Sequence, residues 1–66
     1  MKRLYEFKES HVCQIYLDQY TDDDGSYFWR VEVKYFGSGY SSPHDSLSEA
    51  KLQYLKEFKK HMIGEL

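Results

Sequence analysis

The run Tyr27–Phe36 constrains what this chain can fold into more than any other segment. From Trp29 onward, Trp29, Val31, Val33 and Tyr35 fall on one side, and Arg30, Glu32 and Lys34 on the other. Strict two-residue alternation in β-branched and aromatic residues predicts a strand with one buried face. Upstream, Val12 to Tyr20 alternates in the same way, with Cys13, Ile15 and Leu17 on its apolar side. Between the two runs lies Asp22-Asp23-Asp24-Gly25. Asp suits the first position of a type I turn, and Gly tolerates the left-handed residue that closes a three-residue hairpin loop. With Asp22 opposite Ser26, Leu17 faces Val31, Ile15 faces Val33 and Cys13 faces Tyr35. On the other side, Tyr20 faces Phe28 and Asp18 faces Arg30. Slipping this register by one residue sets Leu17 against Arg30 and turns every apolar side chain to the wrong face.

The flanking elements follow from the same reading. Arg3 to Lys8 is expected to be the first strand. With Glu9-Ser10-His11 as its turn, Phe7 faces Cys13 and Tyr5 faces Ile15. Gly37-Ser38-Gly39 is a turn, and Tyr40-Ser41-Ser42 is a candidate short edge strand that Pro43 ends, because proline cannot donate to the ladder. Ser46-Leu47-Ser48-Glu49 is a capping box. Behind it Leu47, Ala50, Tyr54, Leu55, Phe58 and Met62 recur at helical spacing, Lys56, Lys59, Lys60 and His61 in the C-terminal half suit the negative end of the helix dipole, and Gly64 is the expected terminator. The prediction is an α+β fold over residues 1–66 as one domain. It has a three- or four-stranded antiparallel sheet with one C-terminal amphipathic helix on one face (β-β-β-α).

Sixty-six residues allow one modest core, and chains this short commonly need a disulfide, a metal or a partner. Cys13 is the only cysteine, and His11, His44 and His61 lie far apart, so no disulfide within the chain, no metal and no cofactor are expected. Seven Tyr, four Phe and one Trp point instead to aromatic packing or self-association. The charged start, Met1 to Lys8, has no apolar stretch behind it, and no segment approaches membrane-spanning length. With a lone free thiol, this suggests a cytoplasmic location.

Three constellations invite a functional reading, and each has a plainer one. As a calcium loop with Gly25 sixth, the acidic turn would put Tyr20 first and Val31 twelfth, both wrong, so it reads as a solvated turn. Cys13 sits mid-strand on the buried face with no His placed to activate it, so it reads as a small hydrophobe and no enzyme is expected. The field of Lys51, Lys56, Lys59 and Lys60 is interrupted by Glu49 and Glu57 and reads as a solvated helix face. The remaining feature is the sheet face the helix leaves open, which carries Val12, Tyr16, Tyr20, Phe28, Arg30 and Phe36 as candidate partner-binding residues.

The strand-strand-strand-helix order, with Asp24-Gly25-Ser26-Tyr27 before a strand and Ser46-Leu47-Ser48-Glu49-Ala50 opening the helix, resembles HicB-type antitoxins and the arm-binding domains of phage integrases. Tyr35-Phe36-Gly37-Ser38 departs from the first by lacking a Pro-Asp stretch. Arg30 and Lys34, alternating with Glu32, depart from the basic sheet expected of the second. The resemblance implies a fold, and a fold does not fix a function. The expected function is a non-enzymatic intracellular protein-interaction module, a regulator, inhibitor or subunit, that binds a protein partner or a second copy of itself. The alternative is a nucleic-acid binder stacking bases on Tyr16, Tyr20 and Phe28, which the net charge of −2 and the acidic turn disfavour.

Overall fold

Strand pairing builds the molecule from the middle outward. The computed structural model describes residues 1–9, 12–36 and 38–62, the last without the Met62 side chain. Its elements are β1 (Lys2–Glu9), β2 (Cys13–Thr21), β3 (Tyr27–Tyr35), β4 (Ser38–His44) and α1 (Leu47–Met62). The strands form one antiparallel sheet in the order β1-β2-β3-β4, and α1 lies over β2 and β3 on one face.

The β2–β3 register is the predicted one: Cys13 pairs with Tyr35, Ile15 with Val33, Leu17 with Val31, Asp18 with Arg30 and Tyr20 with Phe28. At the turn the Asp22 N–H donates to Ser26 O at 2.7 Å and the Gly25 N–H to Asp22 O at 3.0 Å. Gly25 takes φ +89°, which Gly adopts without steric penalty. Asp24 Oδ1 accepts from the Ser26 hydroxyl at 2.6 Å and the Ser26 N–H at 3.0 Å, and these bonds lower its pKa.

Three expectations are corrected at the edges. Phe7 pairs with Ile15 and Tyr5 with Leu17, two residues from the predicted register. The cause is Val12, which stays in the turn with its N–H on Glu9 O at 3.1 Å rather than starting β2. A shift of two preserves the faces. Ser10 and His11 of the predicted turn lie outside the described residues, as do Gly37 and Gly64. A bulge between Arg3 and Tyr5 then shifts the end of β1 by one residue. Finally, β4 runs through Pro43 to His44 instead of stopping before it. Pro43 is tolerated because its position faces away from β3, where no ladder N–H is required. Gly39 is needed for the close approach of β4 to β3, since a Cβ there would collide with the Val33 carbonyl oxygen.

The Ser46 hydroxyl caps α1 by accepting the Glu49 N–H at 3.1 Å. The core is Cys13, Ile15, Leu17, Val31, Val33 and Ala50, ringed by Leu4, Phe7, Val12, Trp29, Leu47, Tyr54 and Phe58. Phe7 meets Phe58 edge-on at 5.1 Å, and Tyr5 meets Tyr54 at 5.7 Å. Leu55, expected in the stripe, is instead 51% exposed. At 100° per residue it lies about 140° from Ala50, whereas Glu57 lies about 20° from it. Glu57 is therefore buried where an apolar residue was expected.

These placements separate two substitutions of similar chemistry. Phe58→Ala should destabilise the fold by about 3 kcal/mol, because it empties a half-buried aromatic site. Leu55→Ala should change stability by no more than about 0.5 kcal/mol. Urea denaturation monitored by circular dichroism measures both.

Candidate interaction surface

The face turned away from α1 was expected to carry an exposed aromatic platform. Its centre is sealed. The bulge in β1 sends the Arg3 guanidinium across β2, where it lies 3.9 Å above the Tyr16 ring centroid. The same guanidinium grips Asp18 with two bonds, Nε to Oδ1 at 2.8 Å and the second nitrogen to Oδ2 at 3.1 Å. That carboxylate raises the Arg3 pKa, chiefly through the hydrogen bonds. Asp18 is 2% exposed and Tyr16 5%. The Tyr16 hydroxyl donates to Gln14 Oε1 at 3.1 Å. Tyr16 therefore belongs to a small second core roofed by a charge, and no partner reaches its ring in this arrangement. Asp18 stands opposite Arg30 in register as predicted, but its ion pair is with Arg3.

The other predicted residues divide between the two ends of the sheet. At the β2–β3 turn, the Tyr20 and Phe28 rings stack at 5.2 Å and 12°, with the Arg30 guanidinium 5.6 Å from the Tyr20 centroid. At the opposite end, the Phe36 N–H donates to Val12 O at 3.1 Å, and Val12 packs on the core rather than on the open face. Phe28 and Phe36 are eight positions apart along an extended strand, about 26 Å. They belong to two patches, not one.

Phe36 is the more conspicuous of the two. It is 70% exposed, stacks on Tyr35 at 5.4 Å, and has φ +53°. Bulky residues rarely occupy the left-handed region, and holding one there costs about 1–3 kcal/mol. Tyr35 pairs with Ser38, so Phe36 directly follows β3 at the start of the tight loop into β4. Such loops favour Asn, Asp or Gly at that point.

A polar cluster around the buried Glu57 under α1 escaped the sequence reading. Glu57 Oε1 accepts the Tyr40 hydroxyl at 2.7 Å, and Oε2 accepts Gln53 Nε2 at 2.8 Å. His61 Nε2 lies 3.6 Å from Glu57 Oε1, and the Tyr35 ring meets the His61 ring edge-on at 5.0 Å. Helical spacing of Gln53, Glu57 and His61 was the available signal, but the partner that makes burial tolerable comes from β4. Burial, then the Glu57 hydrogen bond, pushes the Tyr40 phenol up to about 12. Burial, assisted by Glu9 and Glu57, likewise raises the Cys13 thiol, the opposite of what a nucleophilic thiolate requires. Among the described residues, no group of three or more His, Cys, Asp and Glu could hold a metal ion. On the β1 side of α1, Tyr5, Lys51, Tyr54 and Leu55 line an apolar groove of about 210 Å³. That is below the usual size of a small-molecule pocket. Among the described residues, no helix is long and apolar enough to cross a membrane.

Tyr16→Ser should destabilise by about 3 kcal/mol in urea denaturation, as a core position does and a contact position does not. Tyr40 gives a pH signature. Its raised pKa favours the folded state fully below pH 10, and this contribution is lost as pH rises from 10 to about 12. Wild type should therefore exceed Tyr40→Phe by about 1 kcal/mol at neutral pH. The gap should close between pH 10 and 12 in parallel denaturation curves. Compared with protein-family models, curated proteins and solved structures, the chain matches none.

Proposed function

We propose that the protein is a small non-enzymatic interaction module, a regulator, inhibitor or subunit, that engages a protein partner through aromatic side chains on its sheet. The observation that carries this reading is Phe36, an exposed aromatic ring displayed from a left-handed backbone position at the tip of the β3–β4 hairpin. A residue kept in a strained conformation without being buried is better explained by what it touches in a complex than by the fold. Exposed Tyr35 stacks against it, giving a pair of rings of the type that anchors interfaces. Tyr20, Phe28 and Arg30 form a second, flatter contact at the far end.

The nucleic-acid alternative has less support. Tyr20 and Phe28 turn their ring faces to each other rather than to a base. Asp22, Asp23 and Asp24 stand beside them in the turn, and a phosphate backbone would be repelled there.

Phe36→Asn tests the reading, because Asn tolerates the left-handed region and lacks the ring. Relief of strain and loss of the Tyr35 contact offset each other, so stability should stay within about 1 kcal/mol of wild type. Binding should weaken by about 2 kcal/mol or more. The two chains, immobilised through their N-termini, are compared for retained host proteins by quantitative mass spectrometry and for thermal stability. Equal retention on both chains refutes the role of Phe36, and a large loss of stability assigns the ring to the fold.

A further inference from the structure

The two outer strands of the sheet are not equally protected. Hydrogen-bonded pairs alternate along an antiparallel ladder. The Phe36 N–H on Val12 O and the Asp22 N–H on Ser26 O fix the phase. Even-numbered residues of β3 therefore bond to β2, and odd-numbered ones to β4. Through Val31–Ser42 and Val33–Tyr40, the even-numbered residues of β4 bond back to β3. Gly39, Ser41 and Pro43, all exposed, turn their backbone groups outward.

The opposite edge, β1, carries the features that prevent strand addition. Five of its eight residues are charged, Glu6 and Lys8 pair at 3.5 Å along it, and a bulge interrupts it. β4 has no Asp, Glu, Lys or Arg, and its only blunting residue is Pro43 near one end. Gly39 and Ser41 still offer both an N–H and a C=O, and Pro43 a C=O.

The geometry points to self-association through β4, with a second copy of this chain adding its own β4 antiparallel to form one eight-stranded sheet. The edge is self-complementary about Ser41. Two-fold pairing there exchanges two hydrogen bonds between the Ser41 residues. It also directs each Gly39 N–H to the partner copy's Pro43 carbonyl, so the missing proline donor interrupts neither. On the helix side, each half-exposed Tyr40 then lies opposite the small Ser42 of the other copy, as large beside small packs best. The helices stay about 19 Å apart, four strand spacings. The flanks they turn toward each other carry Glu49 on one half and Lys56 and Lys60 on the other, so antiparallel copies meet with opposite charge. The interface is separate from the Phe36 tip, and its failure leaves the proposed function standing.

Ser41→Pro deletes one outward N–H, and Ser41→Lys places like charges at the two-fold centre. Neither removes a bond within the monomer. In sedimentation equilibrium the wild type should rise with concentration from 8.0 kDa toward twice that mass. Each variant should raise the dissociation constant by about tenfold or more, with an unchanged circular dichroism spectrum. In wild type, the Gly39 and Ser41 amides should exchange more slowly at high concentration while those of Glu6 and Lys8 do not change. A wild type that stays monomeric, or a dimer in which the Gly39 and Ser41 amides still exchange freely, overturns the proposal. Should either variant unfold, the wild-type exchange pattern still decides.

Discussion

Everything in this fold is hung on the pairing of β2 with β3, where Leu17 meets Val31 and Ile15 meets Val33. Among the described residues these four are, with Cys13, the largest fully buried side chains, and they make the floor on which Ala50 brings α1 down. The pairing has a single acceptable register because the acidic turn and the two apolar faces agree on it. β1 and β4 each add to a surface that already exists, so each can tolerate an irregularity that the central pair could not. β1 absorbs a bulge at Arg3–Tyr5, and β4 absorbs Pro43 and a glycine pressed against the Val33 carbonyl.

One helix covers one face of a sheet, and the other face needs its own solution. Here it is Arg3. Its long side chain supplies the apolar cover that a second layer would give and keeps one edge in water. The guanidinium is weakly hydrated, planar and matched to both Tyr16 below it and Asp18 beside it. A half-buried pair of this kind, with Asp18 buried and Arg3 partly in water, adds little net stability, because desolvating Asp18 opposes the attraction. Its effect is to fix where β1 lies across β2.

The parts of this architecture legible in the sequence are those where two local signals coincide. The β2–β3 hairpin combined strict alternation with a Gly-bearing turn, and α1 combined a stripe with a cap. β1 had alternation but no glycine in its turn, and nothing in the sequence said that Val12 would remain in the loop. That ambiguity displaced the register by two. The candidate site was less legible, because burial on the open face depends on a residue from another strand. Tyr16 reads as exposed until the bulge in β1 aims Arg3 at it. Likewise Leu55 reads as core and Glu57 as surface until the Tyr40 hydroxyl on β4 gives the carboxylate a partner. The sequence shows the chemistry of Phe36, while the property that distinguishes it, its backbone conformation, belongs to the β3–β4 loop.

Glu57 also bears on why β4 is held at all. The strand is rich in Ser and Gly, so it buries little and gains little from side-chain pairing. It is tied to the rest of the molecule by the ladder to β3 and by the Tyr40–Glu57 bond to α1, among other contacts of the described residues. An apolar residue at position 57 could fill the same space, but Tyr40 would then lose the acceptor that fixes its hydroxyl. A directional bond places β4 in one position relative to the helix, whereas greasy packing would allow it to slide. The Tyr40 ring stays half in solvent at the outer margin, and the alternation of the ladder leaves the backbone of Gly39 and Ser41 facing out. An edge strand that is weakly apolar, uncharged and yet rigidly positioned is an ordered template rather than a frayed one. When two such strands pair, neither has to be ordered first, which lowers the entropic cost of pairing.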